Sequence, residues 1–196
     1  MNILGIHGNP FDDSASVYES GASIVSNGEL IFAISEERLS RQKFDGRFPH
    51  LSIAEALRAT RLTIDQIDEV ALASSHPKDD CFGYCKAALS TWRDTGVFLG
   101  PQIRGFGWAA FYNWFKASRY QEITIQGKSF PIHFVDHHLA HAAGAHFASP
   151  FEKSLLFTLD GGGNGLDGAV YVGDGSRNER VFSVPHYHSP GTKYSA

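Results

Sequence analysis

The stretch Ala22-Ser23-Ile24-Val25-Ser26-Asn27-Gly28-Glu29-Leu30-Ile31-Phe32-Ala33-Ile34 decides the fold. Its two apolar runs, residues 22–25 and 30–34, flank a turn in which Asn27 is followed by Gly28. Asn-Gly between apolar runs is the strongest short-range signal for a β-hairpin, since both residues tolerate the positive φ of a tight turn. Upstream, residues 2–7 form a short apolar run that predicts a buried strand. The chain is therefore predicted to begin with three antiparallel strands.

Helices and strands are predicted to alternate after this hairpin. Ser52 is expected to cap a helix, and the capping-box pair Thr63 and Gln66 precedes a predicted strand at residues 70–73. A further strand is predicted at residues 132–135, where the chain is again apolar.

An aromatic-rich segment, residues 81–120, lies between these last two strands. We interpret it as two helices that cover the sheet. A surface that stacks bases is disfavoured, because the basic residues of the segment are too sparse. Asp136 is expected to cap the next helix, which runs through Phe147. Residues 1–150 then have the order βββαβαβα, which predicts an α/β lobe with a mixed sheet.

The same opening recurs in the last part of the chain. The pattern predicts an apolar strand, a glycine-rich loop and two more strands at residues 154–159, 160–167, 168–172 and 181–184. Residues 151–196 are therefore predicted to begin a second, similar lobe.

The composition predicts a globular protein without a polyanion-binding field. With 196 residues, 42% of them hydrophobic, the chain can bury a full core in one or two domains. A net charge of -4 makes nucleic acid an unlikely partner. No apolar run reaches the roughly 18 residues of a membrane span, and the N-terminus lacks a basic region before an apolar one. With only two cysteines, we expect a cytoplasmic protein.

Two histidines and a glycine-rich stretch are the candidate functional residues. His137 and His141 lie four residues apart on one face of the predicted helix, a spacing that suits a divalent metal. Nineteen residues after His141 begins a stretch that offers backbone N–H groups to phosphate oxygens, made of Asp160, Gly161, Gly162 and Gly163. The alternative for the pair, a helix end whose imidazoles bond to backbone or solvent, stays open.

Two further groups are candidates for chemistry. His138 projects about 100° away from His137 on a helix, so we expect it to support the metal ligands or to meet a substrate. The stretch Glu36-Glu37-Arg38-Leu39-Ser40-Arg41-Gln42-Lys43 follows the third strand directly. It is either a charged loop or helix end that faces a ligand, or a solvated run of charges.

These motifs occur in the order found in a known family. The βββαβαβα unit resembles the ribonuclease H-like lobes of actin and the sugar kinases, which bind ATP between two lobes. More specifically, the chain resembles the O-carbamoyltransferases of nodulation and antibiotic biosynthesis, of the NodU and CmcH type. The resemblance is carried by residues 3–6, 27–30, 36–43, 48–49, 136–142, 149–151 and 160–161.

The resemblance implies a reaction and a set of site residues. Carbamoyl phosphate and ATP would give a carbamoyl-adenylate, whose carbamoyl group passes to a hydroxyl of a small-molecule acceptor. His137 and His141 match the family's ligands to Fe²⁺ or another divalent metal, and Asp160 to Gly163 match its phosphate-facing loop. Arg41 and Lys43 match basic positions after the Glu-Glu-Arg motif, and His138 is a further catalytic candidate.

Two departures from the family pattern affect these expectations. The family places a His-Asp-Ser-Ala-like motif in the first loop. This chain has either Asp12-Asp13-Ser14-Ala15 there, followed by an apparent insertion before Asn27, or Glu19-Ser20-Gly21 at that place. Asp13 and Ser14 are the matching cofactor-binding candidates. Family members are also longer and continue through the rest of the second lobe and then a separate carbamoyl-adenylate-forming domain. We therefore expect 196 residues to be a truncated piece without turnover of its own, and the third metal ligand, an aspartate, to lie further on.

Two other functions are considered beside this one. A transferase that places threonylcarbamoyl on tRNA would share the fold and the two-histidine site, but the Glu-Glu-Arg stretch and the acidic charge disfavour it. A non-catalytic, free-standing lobe that acts as an assembly partner through its aromatic surface is the third alternative. A zincin protease is excluded, because His138 occupies the place of the glutamate in H-E-x-x-H.

Overall fold

The computed structural model describes residues 1–8, 19–73, 85–86, 89, 92–93, 121–163 and 165–185. The chain forms two compact units, Met1–Ser74 with Arg119–Val135 and Ser75–Ser118 with Asp136–Ala196. The division therefore lies at Val135, whereas the repeat pattern suggested residue 150. Because compact packing does not reveal the limits of an ancestral repeat, the lobe boundary at 150 stays a prediction.

The first unit contains a mixed six-stranded sheet. Its strands are β1 (Asn2–His7), β2 (Gly21–Ser26), β3 (Glu29–Ser35), β4 (Glu69–Ala73), β5 (Glu122–Ile125) and β6 (Lys128–Val135). They lie in the order β3-β2-β1-β4-β6-β5. β1, β2 and β3 are antiparallel neighbours, and β4 pairs in parallel with both β1 and β6. The predicted α/β fold with three antiparallel strands and a mixed sheet is confirmed.

Turn residues explain which hairpins the sequence revealed. Asn27 and Gly28 have φ values of 51° and 86°, the positive angles expected of the predicted turn. The β5–β6 hairpin was not predicted, although Gln126 and Gly127 adopt similar angles of 48° and 85°. Glutamine rarely adopts positive φ, so Gln-Gly carries a much weaker turn signal than Asn-Gly.

Glu36 stabilises the start of a helix that is distant in sequence. Helices α1 (Glu36–Ser40) and α2 (His50–Thr60) follow β3. The buried Glu36 carboxylate accepts hydrogen bonds from the backbone N–H of Leu51 at 3.0 Å and of Ser52 at 2.7 Å. Ser52 Oγ also donates to it. The prediction that Ser52 caps α2 is therefore wrong, because this serine lies inside the helix and Glu36 accepts the exposed N–H groups.

The capping box predicted at Thr63 and Gln66 is confirmed in a short 3₁₀-helix, Ile64–Gln66. Thr63 N–H donates to Gln66 Oε1 at 2.8 Å. Lys128 Nζ donates to carbonyl oxygens of this segment, at 3.1 Å to Asp65 and 2.8 Å to Ile67. The core of the unit includes Leu4, Ile6, Ile24, Ile53, Leu57, Val70, Leu72 and Phe130.

The second unit contains a helix on a three-stranded antiparallel sheet. Its elements are α3 (His137–Phe147), β7 (Lys153–Gly163), β8 (Leu166–Asp174) and β9 (Arg177–Pro185). The helix from an Asp136 cap to Phe147 is confirmed, and Leu139 N–H donates to Asp136 Oδ1 at 2.8 Å. The glycine-rich loop predicted at 160–167 is wrong in its limits. β7 continues to Gly163, with a register shift between Leu159 and Gly163.

The two faces of this sheet differ. Leu156, Ala169 and Tyr171 are buried with Ala142 of α3. Along β7, Leu155, Phe157 and Leu159 alternate with the buried Leu156 and Thr158 and are 60%, 73% and 63% exposed. Such alternation is expected of a strand with one covered face.

No helix in the described ranges is long and apolar enough to cross a membrane.

We predict that Asp45→Asn lowers stability in a pH-dependent way. The buried Asp45 carboxylate accepts hydrogen bonds from Arg47 Nε at 2.9 Å and Nη2 at 2.7 Å, which hold its pKa well below the usual range. The stabilisation by ionised Asp45 is full above the unfolded-state pKa of about 4, and it is lost as the pH falls towards the lower folded-state pKa. Urea unfolding should therefore show a difference between wild type and variant at pH 7 that shrinks below about pH 4.

Glu55→Gln is the matched control for this prediction. Glu55 is also paired with an arginine, Arg58, but this ion pair is exposed and screened by solvent. A loss of stability at pH 7 as large for Glu55→Gln as for Asp45→Asn would contradict the role assigned to burial.

Candidate functional site

The first turn of α3 is held in place through Asp136. This residue caps the helix and also contacts the sheet, where Tyr171 Oη donates to its Oδ1 at 3.4 Å and Arg180 Nη1 lies 3.7 Å from its Oδ2. His137 and His141 follow on one face of α3. The cap therefore fixes both where the helix begins and how it lies against β8 and β9.

Three donor atoms converge beside this turn. Asp160 Oδ2 lies 2.5 Å from His137 Nε2 and 3.4 Å from His141 Nε2, and the two imidazole nitrogens are 3.2 Å apart. Within the part of the chain that the structure describes, these residues are the one group of three or more His, Cys, Asp or Glu that could hold a metal.

The spacing of these atoms fits a transition metal. Bonds of about 2.0–2.2 Å at the angles of tetrahedral or octahedral sites separate the donor atoms by about 2.9–3.5 Å. Two of the three separations, 3.2 and 3.4 Å, fall in this range. The third is shorter because His137 and Asp160 are hydrogen-bonded to each other. Two imidazoles and one carboxylate suit Fe²⁺, and Zn²⁺ also accepts this donor set.

The carboxylate changes the proton affinity of its neighbour. A hydrogen bond donated to the Asp160 carboxylate raises the pKa of His141, whereas partial burial of the ring opposes this change. A metal must displace protons from imidazoles, so binding at His141 is in competition with protonation over a range that extends above the ordinary pKa of about 6.5.

Asp160 occupies a different environment from the one expected. We expected it in a phosphate-facing loop, and the family resemblance implied that the third metal ligand lies further along the chain. In the structure its carboxylate lies with His137 and His141, at the end of strand β7. The signal in the sequence is the alternation of Leu156, Thr158 and Asp160 along β7, which puts the aspartate on the face that packs against α3. The ligand roles themselves stay predictions.

The glycines after Asp160 belong to a strand end. Gly161, Gly162 and Gly163 are the last residues of β7. A Cβ at Gly163 would overlap the His137 ring, so glycine is required for the ring to lie against the strand. The predicted role of these glycines in phosphate binding is not tested by this geometry and stays a prediction.

His138 is buried instead of facing a solvent-filled site. Its side chain is among the largest fully buried ones, with Nδ1 2.9 Å from Thr158 Oγ1 and Nε2 3.1 Å from the carbonyl oxygen of Leu166. Burial lowers the pKa of this imidazole, which favours the neutral ring. Its catalytic role stays a prediction, and the contacts favour a supporting role over direct contact with a substrate.

Arg41 and Lys43 lie in the first compact unit, on an exposed turn after α1. Arg41 has a φ of 61°, and Lys43 Nζ lies 4.9 Å from the centre of the Phe44 ring. Glu37 Oε2 accepts from Phe44 N–H at 3.1 Å, which closes the turn. Asp13 and Ser14 lie outside the described residues.

The sequence is similar to one family model and to several known proteins. A family model described as carbamoyltransferase N-terminus matches residues 3–196. The nodulation protein NolNO of Sinorhizobium fredii is 30% identical over 190 residues, which are 96% of this chain and 26% of that protein. The uncharacterized protein sll1178 of Synechocystis is 27% identical, and the match covers 100% of this chain and 31% of that protein. The chain thus spans about a quarter to a third of these relatives.

A shorter match and two solved structures add to this comparison. The nodulation protein NolO of Bradyrhizobium diazoefficiens is 42% identical over 60 residues, 31% of this chain and 11% of that protein. YeaZ from Pseudomonas aeruginosa is 11% identical with a TM-score of 0.39, over 94% of this chain and 69% of that one. A Ppx/GppA family member from Aquifex aeolicus is 12% identical with a TM-score of 0.37, over 94% and 51%. TM-scores this low carry no argument, so the description of the fold rests on the strand pairings of this chain.

We predict that Gly163→Ala destabilises the second unit. The new methyl group would overlap the His137 ring, and such overpacking costs about 1–3 kcal/mol. Gly144→Ala is the control, because a Cβ there meets nothing within 4 Å and alanine favours a helix by about 0.5–1 kcal/mol. Denaturant unfolding should give opposite signs for the two variants. Equal stability would contradict the close packing of Gly163.

Proposed function

Because this chain belongs to the carbamoyltransferase N-terminal family, we propose that it is the N-terminal part of an ATP-dependent O-carbamoyltransferase. Carbamoyl phosphate and ATP are converted to a carbamoyl-adenylate, and the carbamoyl group then passes to a hydroxyl of a small-molecule acceptor. The observation that carries this proposal is the convergence of His137, His141 and Asp160, a metal-type donor set within a chain of this family.

These three residues hold the metal, Fe²⁺ or another divalent ion. When bound, the ion supplies positive charge that can offset charge developing on phosphate or carbonyl oxygens, a contribution of several kcal/mol in metal sites. The hydrogen bond between His137 and Asp160 supports this assignment, because it keeps imidazole and carboxylate together before an ion binds. The neighbouring His141 nitrogen completes the donor set.

Other residues of the chain bind the phosphate-containing substrates. Arg41 and Lys43 are exposed cations that can pair with phosphate oxygens, and the Glu37 bond to Phe44 N–H keeps their turn folded. The family resemblance assigns Asp13 and Ser14 to the nucleotide, and it assigns the backbone N–H groups of Gly161 to Gly163 to phosphate oxygens.

The remaining functions belong to a longer polypeptide. The curated relatives are about three to four times the length of this chain, so the rest of the second lobe and the carbamoyl-adenylate-forming domain lie in parts that this chain does not match. We expect these 196 residues alone to give no carbamoyl transfer. The acceptor is a small-molecule hydroxyl, such as one of a sugar or an antibiotic, as the family resemblance implies.

Metal titration tests this proposal directly. We predict that the chain binds one equivalent of Fe²⁺ under anaerobic conditions, and that His137→Ala with His141→Ala abolishes binding because two of three donors are lost. Asp160→Asn should weaken binding by at least about tenfold, since an amide oxygen carries no charge to offset that of the ion. Calorimetry and elemental analysis measure both effects.

His133→Ala is the matched control, because His133 is an exposed histidine of the first unit, outside the donor group. It should bind like the wild type. Equal metal binding by His133→Ala and by the double histidine variant would sink the assignment of the site.

A further inference from the structure

His138 lies between the two metal-binding histidines in sequence, but its ring bonds to the strands instead. Its Nδ1 is 2.9 Å from Thr158 Oγ1 on β7, and its Nε2 is 3.1 Å from the Leu166 carbonyl oxygen on β8. These two partners stand on either side of Asp160 in the chain. The ring therefore contacts both β7, two residues before Asp160, and the first residue of β8.

We propose that His138 and Thr158 are positioning residues that set the distance between α3 and Asp160, and thereby the metal affinity of the donor group. This inference rests on the proposed metal site. Thr158 precedes Asp160 by two residues, so both side chains lie on the face of β7 that packs against α3. His138 directly follows His137 on the helix. Two side-chain bonds, His138 to Thr158 and His137 to Asp160, thus cross the same gap.

The hydrogen bonds around Thr158 have one consistent direction. A carbonyl oxygen can only accept, so His138 Nε2 carries the proton and donates to Leu166, and Nδ1 is left as an acceptor. Thr158 Oγ1 accepts from Ala169 N–H at 3.0 Å. In the neutral ring its own proton goes to Nδ1, at 2.9 Å, in preference to the Ala169 carbonyl oxygen, at 3.3 Å. Both ring nitrogens have a partner, so the imidazole is held in a fixed orientation.

The same helix offers a matched comparison at its other end. His146 is also buried, with Nδ1 2.7 Å from Ser154 Oγ on β7 and Nε2 3.0 Å from the Gly175 carbonyl oxygen. This pair joins the same helix to the same strand, but it lies far along both elements from Asp160. A role limited to holding α3 on the sheet would make the two pairs equivalent. A positioning role would make only the first affect the metal.

The test uses Thr158→Val, which keeps the shape and removes the hydroxyl, and Thr158→Ser, which restores it. Fe²⁺ titration of the folded protein should show affinity about 10- to 100-fold weaker for the valine variant and close to wild type for the serine variant. Ser154→Ala should lower stability without changing affinity. If the valine variant does not fold, His138→Asn, which cannot reach Leu166, should show the weaker affinity.

A metal-free measurement separates this inference from the metal site itself. At fixed pH, ring ¹⁵N chemical shifts of His137 should change in Thr158→Val and remain as in wild type in Thr158→Ser and Ser154→Ala. Unchanged His137 shifts in the valine variant would overturn the positioning role whether or not metal binds. So would equal loss of affinity in Thr158→Val and Ser154→Ala. Absence of Fe²⁺ binding by wild type with a shifted His137 would reject the metal site and keep the positional link.

Discussion

The close packing of α3 on β7 and β8 is the constraint on which the donor group depends. Glycine permits this packing at both ends of the helix. A Cβ at Gly163 would overlap the His137 ring, and one at Gly173 would lie 2.7 Å from both His146 Nδ1 and Ser154 Oγ. Between these ends the helix and the sheet share an apolar cluster that includes Ala142 of α3 and Tyr171 of β8. Backbone approach and side-chain bonding are thus combined, because the His137 and His146 rings lie where a Cβ at Gly163 or Gly173 would overlap or crowd them.

Buried carboxylates organise the first unit in a comparable way. The Glu36 carboxylate accepts hydrogen bonds from N–H groups in the first turn of α2. The Asp45 carboxylate accepts from the Arg47 side chain two residues later. Asp45 also contacts the residue just before β2, because its carbonyl oxygen accepts from Ser20 N–H at 2.9 Å. The charged segment from Glu36 to Arg47 is therefore only partly solvated. Its acidic side chains accept hydrogen bonds from neighbouring residues, whereas Arg41 and Lys43 lie at the surface.

Local signals predicted local structure. The Asn27-Gly28 hairpin, the Thr63–Gln66 capping box and the Asp136 cap each depend on residues within a few positions of one another, so their patterns are visible in sequence. Contacts between residues that are far apart in sequence were not predicted. Glu36 caps a helix that begins fourteen residues later, and Asp160 reaches histidines on another element. No spacing rule covers such contacts, because they depend on how elements pack. The histidine pair was identified, but its carboxylate partner was assigned to phosphate.

The alternation along β7 has a consequence for how this unit folds. Phe157 and Leu159 point to one side of the strand, and Thr158 and Asp160 point to the other, towards the imidazoles. A pairing slip of one residue would reverse every side chain of the strand. It would bring Leu159 or Gly161 opposite the histidines and turn the carboxylate away. A misregistered sheet therefore cannot retain the three donors, so the donor group assembles only when the strand has its native register.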